Sequence, residues 1–122
     1  MTRPWTRVLE RLRMTPEQLD ADTMVADSQR RGGKPIRDLA DRQVATVSGA
    51  VRSIILRPAT EVPALVAELY DGTEPLTLVW LGRREILGIH PGTVLKATGR
   101  VTRYRGVKTI FNASYEIIPP HA

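Results

Sequence analysis

The spacing of apolar residues changes character near residue 43, and that change divides the chain. Ahead of it, Trp5, Val8, Leu9 and Leu12 fall at i, i+3, i+4 and i+7, the spacing of one apolar helix face. Thr2 and Pro4 suit the start of such a helix. Thr15, Pro16 and Gln18 give a second entry signal: a hydroxyl that caps, a proline tolerated in the first turn, and an amide that completes a capping box. Leu19, Met24 and Val25 form a weaker stripe behind it. Gly32 and Gly33 end this helix and Lys34-Pro35 blocks its resumption, which leaves Ile36 to Arg42 as a connector.

From Gln43 the period drops to two and β-branched residues become frequent, which predicts strands. Strand one covers about Val44 to Leu56, with Gly49 as a bend or bulge. Strand two, about Ala64 to Tyr70, turns through Asp71-Gly72 into strand three, Leu76 to Leu81. Gly82 to Gly88 predicts one or two helical turns, and His90-Pro91-Gly92 turns the chain again. Strand four, about Thr93 to Tyr104, alternates Leu95, Ala97, Gly99 and Val101 against Lys96, Thr98, Arg100 and Thr102. Arg105-Gly106 closes a second hairpin into strand five, Val107 to Ile118, with Phe111, Ala113, Tyr115 and Ile117 expected on one face.

Three strands, a short helix and two more strands, with glycines where a small barrel must bend, predict a mainly β fold: a five-stranded OB-fold barrel with a short helix between strands three and four. The barrel is expected over residues 43–122, and residues 1–42 form an N-terminal helical extension that packs on it. An Ig-like sandwich needs about seven strands and fits worse.

Composition narrows the chemistry. The 122 residues include no cysteine, so a thiol catalyst and zinc-cysteine sites are excluded, and one core is feasible without disulfides. There is no Gly-rich phosphate loop with its lysine, no nucleophile elbow and no His pair at metal spacing. His90 sits in a turn and His121 next to the last residue, neither with the rigid, partnered setting of a base or ligand. The expectation is a non-enzymatic protein with no catalytic residue, metal or cofactor. No apolar run approaches the ~20 residues of a membrane span. Arg3, Arg7, Glu10 and Arg11 interrupt any secretory signal, so a cytoplasmic setting without a membrane partner is expected. Lys plus Arg outnumber Asp plus Glu by 18 to 13, for a net charge of +5, a modest bias towards polyanions. Its distribution says more: between Glu85 and Glu116 no acid occurs, while Lys96, Arg100, Arg103, Arg105 and Lys108 all do.

V-S-G-A-V at Val47 to Val51, D-G at Asp71-Gly72, L-V-W-L-G-R-R at Leu78 to Arg84, P-G at Pro91-Gly92, G-R-V at Gly99 to Val101 and N-A-S-Y-E at Asn112 to Glu116 follow one another in a familiar order. In that order and spacing the chain resembles bacterial OB-fold nucleic-acid-binding domains, above all small actinobacterial ones with an N-terminal helical segment, and more distantly the wedge domain of RecG helicase. The resemblance runs from about Gln43 to Ile118 and implies binding of single-stranded or junction nucleic acid rather than catalysis. Relatives usually carry proline after the asparagine, where this chain has Ala113, which predicts a less kinked end of strand five.

An OB-fold commonly binds through strands two and three and the loops between strands one and two and strands four and five. In the second loop, Arg103, Tyr104, Arg105 and Lys108 put three cations and a ring at a hairpin tip, suited to clamping phosphates while the ring stacks on a base. Arg57, at the end of strand one, and Tyr70, the stacking ring on the outer face of strand two, complete the expected nucleic-acid-binding set; Glu68 beside Tyr70 repels phosphate. Trp80 shares parity with Leu76 and Leu78 and belongs in the core. Arg83 and Arg84 line the small helix or cover its apolar side. Lys96 and Arg100, with Arg52 beside them, form a basic strip away from the usual groove, either a solvated face or a second site. If about four cations touch backbone, single-strand affinity falls with salt at a logarithmic slope of roughly −3. The competing expectation is a protein-protein or homo-oligomer module that uses the barrel and N-terminal helices, motivated by only six aromatic residues.

Overall fold

The computed structural model describes residues 16–57 and 62–120, so the stripe from Trp5 to Leu12, residues 58–61 and His121 lie outside the described residues. Helix α1 (Pro16–Arg30) ends as the glycines predict. Gly32 takes φ +80° and donates to Gln29 O, while Gly33 donates to Ser28 O, so two terminal carbonyls are satisfied by a Schellman-type cap. A 3-10 turn at Ile36–Asp38 follows.

Six strands make one mixed sheet: β1 (Val44–Arg57), β2 (Ala64–Tyr70), β3 (Pro75–Leu81), β4 (Val94–Tyr104), β5 (Val107–Phe111) and β6 (Ser114–Ile118). Hydrogen-bonded neighbours run β1-β2-β3-β5-β4-β6, β1 also pairs with β4, and β3 with β5 is the parallel pair. The long first strand serves two partners in turn. Val44 to Ala50 lie against β4, and Ala50 to Arg57 lie against β2, with a register shift between Val51 and Ser53 that leaves Arg52 as the extra residue of a bulge.

Two expectations are corrected here. The β-barrel of five strands with an intervening helix is replaced by a six-stranded mixed sheet, and no helix lies between β3 and β4. Ile86 and Ile89 are buried at helix-like spacing, but Gly82, Gly88 and Gly92 all take positive φ and leave too short a stretch to repay helix nucleation. The link is a set of turns tied by Thr93, whose hydroxyl donates to Gly88 O and accepts from His90 N.

Expected strand five is two strands. Asn112 takes φ +53°, donates its N–H to Val79 O and accepts Leu81 N–H on Oδ1 at 3.0 Å. The kink survives without the proline because asparagine tolerates the left-handed conformation and β3 holds its side chain. The residue parity changes across it: Phe111 points outward while Ala113 is buried.

The core forms from the alternation read in the sequence. Val47, Val51, Leu65, Ala67, Leu69, Leu76, Leu78, Trp80, Leu95, Ala97, Val101 and Ile110 share one buried cluster, joined by Ile36 and Leu39 from the connector. Trp80 is buried as expected, and its Nε1 donates to Ala113 O at 3.0 Å. The connector is held by Asp71, whose buried carboxylate accepts Ile36 N–H at 2.9 Å, Thr73 N–H at 2.9 Å and the Thr73 hydroxyl at 2.6 Å. Helix α1 packs over the same hairpin turn: a methyl group at Gly72 would collide with Ala21 O and Val25. Among the described residues no helix is long and apolar enough to cross a membrane.

Removing the Asp71 carboxylate orphans a buried donor as well as losing its bonds. Asp71→Ala is expected to lower the unfolding free energy by about 2–4 kcal/mol in urea denaturation. A loss under about 0.5 kcal/mol would contradict the anchoring role.

Candidate nucleic-acid interface

Cross-strand partners share a face, so the register fixes what the sheet presents outward. On the outer side of the second half of β1, Ile55 lies opposite Val66, Val66 opposite Val79, and Val79 opposite Phe111. One row further, Arg57 lies opposite Ala64 and Ala64 opposite Leu81. Ala64, Val66 and Val79 are buried as a small second cluster, and Ile55 at 58% and Phe111 at 38% exposure flank it.

The hairpin tip adjoins this face. Tyr104 pairs with Val107 around Arg105 at φ +53° and Gly106 at φ +79°, the two successive left-handed residues of a tight hairpin turn. Tyr104 is 42% exposed and meets Phe111 edge to face at 5.7 Å, while the Arg105 guanidinium lies 5.3 Å from the Tyr104 ring centre. Two exposed rings and an arginine thus stand together. The sequence reading missed Phe111 because it carried one parity through Asn112. The two-residue turn held the correcting signal: pairing Tyr104 with Val107 puts Ile110 opposite the core residue Val101, which turns Phe111 out.

The expected site residues divide into two groups. Arg103, Tyr104 and Arg105 are exposed at the tip, and Arg57 is exposed at the far end of the same face. Arg103 N–H donates to Asp41 Oδ1 at 3.0 Å, a bond that leaves its guanidinium out of account. Lys108 is differently placed: it faces the connector, where its largely buried ammonium donates to Ile36 O and Arg37 O at 3.0 and 3.1 Å and pairs with Glu74 at 2.8 Å. Tyr70 donates to Gly72 O, and the Arg52 guanidinium covers its ring at 4.4 Å. The bulge aims Arg52 there, where its Nε also lies 3.5 Å from Glu68 and offsets the acid on this face. Arg52 therefore does not stand beside Lys96 and Arg100 as expected. With no helix for them to line, Arg83 and Arg84 lie exposed in the link. Among the described residues no group of three or more His, Asp or Glu is placed to hold a metal ion.

No family model matches the sequence, and no curated protein does. Solved structures do. One is a structure of RecG bound to a three-way DNA junction, with 26% identity and a TM-score of 0.60 over 71% of this chain and 12% of that one. Another is the crystal structure of the p204 HINb domain, with 16% identity and a TM-score of 0.59 over 74% of this chain and 49% of that one. The chain thus spans a small part of the RecG chain and about half of the HINb chain. The first match bears out a distant similarity to RecG; neither lends support to a bacterial source or a cytoplasmic setting.

Arg105 occupies a backbone conformation that glycine adopts freely. Arg105→Gly is expected to stabilise the protein by about 0.5–1 kcal/mol in thermal or urea unfolding. A destabilised variant would show that the guanidinium holds the tip together.

Proposed function

We propose that this chain is a non-enzymatic nucleic-acid-binding module that takes single-stranded DNA or RNA across the outer face of β2, β3 and β5, with the Arg103 to Gly106 tip as its clamp. The observation that carries the reading is the exposed Tyr104–Phe111 pair with Arg105 beside it. Rings offer every base a stacking surface, and arginines hold phosphates without reading sequence. The distant likeness to a RecG chain solved on a DNA junction supports nucleic acid as the ligand class.

The bonds made by Lys108 revise the expected electrostatics. With that ammonium committed to the connector, Arg57, Arg103 and Arg105 remain for phosphates. At about 0.7 counterion per neutralised phosphate, three contacts give a logarithmic salt slope of about −2 rather than the −3 expected from four. Fluorescence anisotropy with labelled oligonucleotides measures it. Arg103→Ala with Arg105→Ala is expected to weaken binding to all sequences similarly, about tenfold or more, and to flatten the slope towards −0.7. Absence of binding at low salt, or affinity indifferent to salt, would remove the proposal.

One observation favours a protein partner as the second reading. Ile55 and Leu81 are aliphatic and about half exposed at one end of the same face, where they offer contact area but no ring to stack on a base. Under this reading sedimentation shows an oligomer that grows with concentration, or one protein co-purifies without nucleic acid.

A further inference from the structure

A second charged surface lies where β1 pairs with β4, on the half of β1 that the candidate interface does not use. Three cross-strand rows make it up: Lys96 opposite Ser48, whose hydroxyl is buried, Thr46 opposite Thr98, and Val44 opposite Arg100. Segments beside β1 and β4 add cations to these rows. The Arg31 guanidinium donates to Ser48 Oγ at 3.3 Å, Lys34 N–H donates to Thr46 O, and the Arg100 guanidinium donates to Arg42 O at 2.8 Å. Lys96 and Arg100 thus stand on β4 with the Arg31 guanidinium nearby, Lys34 and Arg42 adjoin these strands through their backbones, and none of the five is in an ion pair among the described residues.

The floor between these cations is made of hydroxyls. Thr46 and Thr98 share a hydrogen bond at 2.8 Å, Ser114 donates to Thr98 O, and a shallow groove of about 300 Å³ runs between Thr46, Lys96, Thr98 and Ser114. Tyr115 and Glu116 form its β6 side. Glu116 lies opposite Lys96 in register, yet no ion pair joins them.

We propose that this face is a second polyanion path, which holds the sugar-phosphate backbone of a duplex and reads no bases. Successive outward residues on a strand are about 6.8 Å apart, and each duplex strand presents one charge per about 3.4 Å of helix axis, so the rows from Lys96 to Arg100 span several phosphates. Rows of cations set on hydroxyls satisfy phosphate oxygens by charge and hydrogen bond together. Apart from Val44 and the Tyr115 side wall, the rows offer no apolar or aromatic surface to an unstacked base, which distinguishes this face from the one bearing Tyr104 and Phe111. A duplex also carries the denser charge, one per about 1.7 Å. The outward residues of β4 continue from Lys96 through Arg100 to Tyr104, so this path leads towards the hairpin tip but does not depend on it.

Anisotropy of a short blunt DNA duplex and of a single-stranded oligonucleotide, on the full chain, tests the proposal. Lys96→Glu with Arg100→Ala is expected to weaken duplex binding about tenfold or more while single-strand affinity stays within about twofold. Loss of two phosphate contacts lowers the duplex salt slope by about 1.8. Glu116→Gln, which removes a carboxylate from the rim, is expected to tighten duplex binding about twofold to threefold, and it keeps the test independent of any disturbance from removing cations. Unchanged duplex affinity in both variants would overturn the proposal, and so would parallel losses on both probes, which mean one continuous track. A protein that ignores the single strand yet binds the duplex through Lys96 and Arg100 would overturn the hairpin-tip reading and sustain this one.

Discussion

The double pairing of β1 is the constraint on which the molecule is built. Its first half is stitched to β4 and its second half to β2, and the two registers overlap at Ala50 alone. A straight strand does not serve both partners in this way. Gly49 relieves the crossing, because a side chain there would strike Tyr70 O, and the bulge at Arg52 resets the alternation one step later. The inward residues of both halves then reach one core, while their outward residues belong to two different surfaces. One surface carries rings, aliphatics and the hairpin tip; the other carries cations on a bed of hydroxyls.

The connector ties this sheet to the helix by polar bonds as well as by the burial of Ile36 and Leu39. Asp71 and Lys108 take opposite ends of the same short segment: the carboxylate accepts Ile36 N–H, and the ammonium donates to Ile36 O and Arg37 O. A largely buried charge is tolerated when its hydrogen-bonding capacity is used, and both groups meet that condition. The consequence for function is a subtraction. A lysine adjoining a cationic loop is spent on the fold, and under the proposed function the phosphate contacts there fall to the arginines.

What the sequence made legible was local. The alternation in β4, the inward parity of Trp80, the Schellman-type end of α1 and the hairpin at Arg105-Gly106 follow from spacing and from turn residues a few positions apart. What it hid was non-local or broke a period. Nothing near Lys108 indicates a carbonyl seventy-odd positions away. One extra residue at Arg52 redirected a guanidinium from the β4 strip to the Tyr70 ring. One left-handed asparagine cut a strand in two and moved Phe111 to the outside. In the 82–93 link, two isoleucines at helical spacing suggested a helix that three positive-φ glycines prevent. The barrel expectation failed for related reasons, since strand count and link depended on features that alternation does not report.

The most direct test of the central claim is a map of backbone amide shifts as a single-stranded oligonucleotide of about twelve nucleotides is titrated into the protein. The account predicts that the largest shifts fall at Arg103 to Val107, Phe111 and Leu81, with Lys108 and the Ile36 connector little changed. Shifts concentrated instead in the 85–93 link and along β6, with the hairpin tip silent, would contradict it.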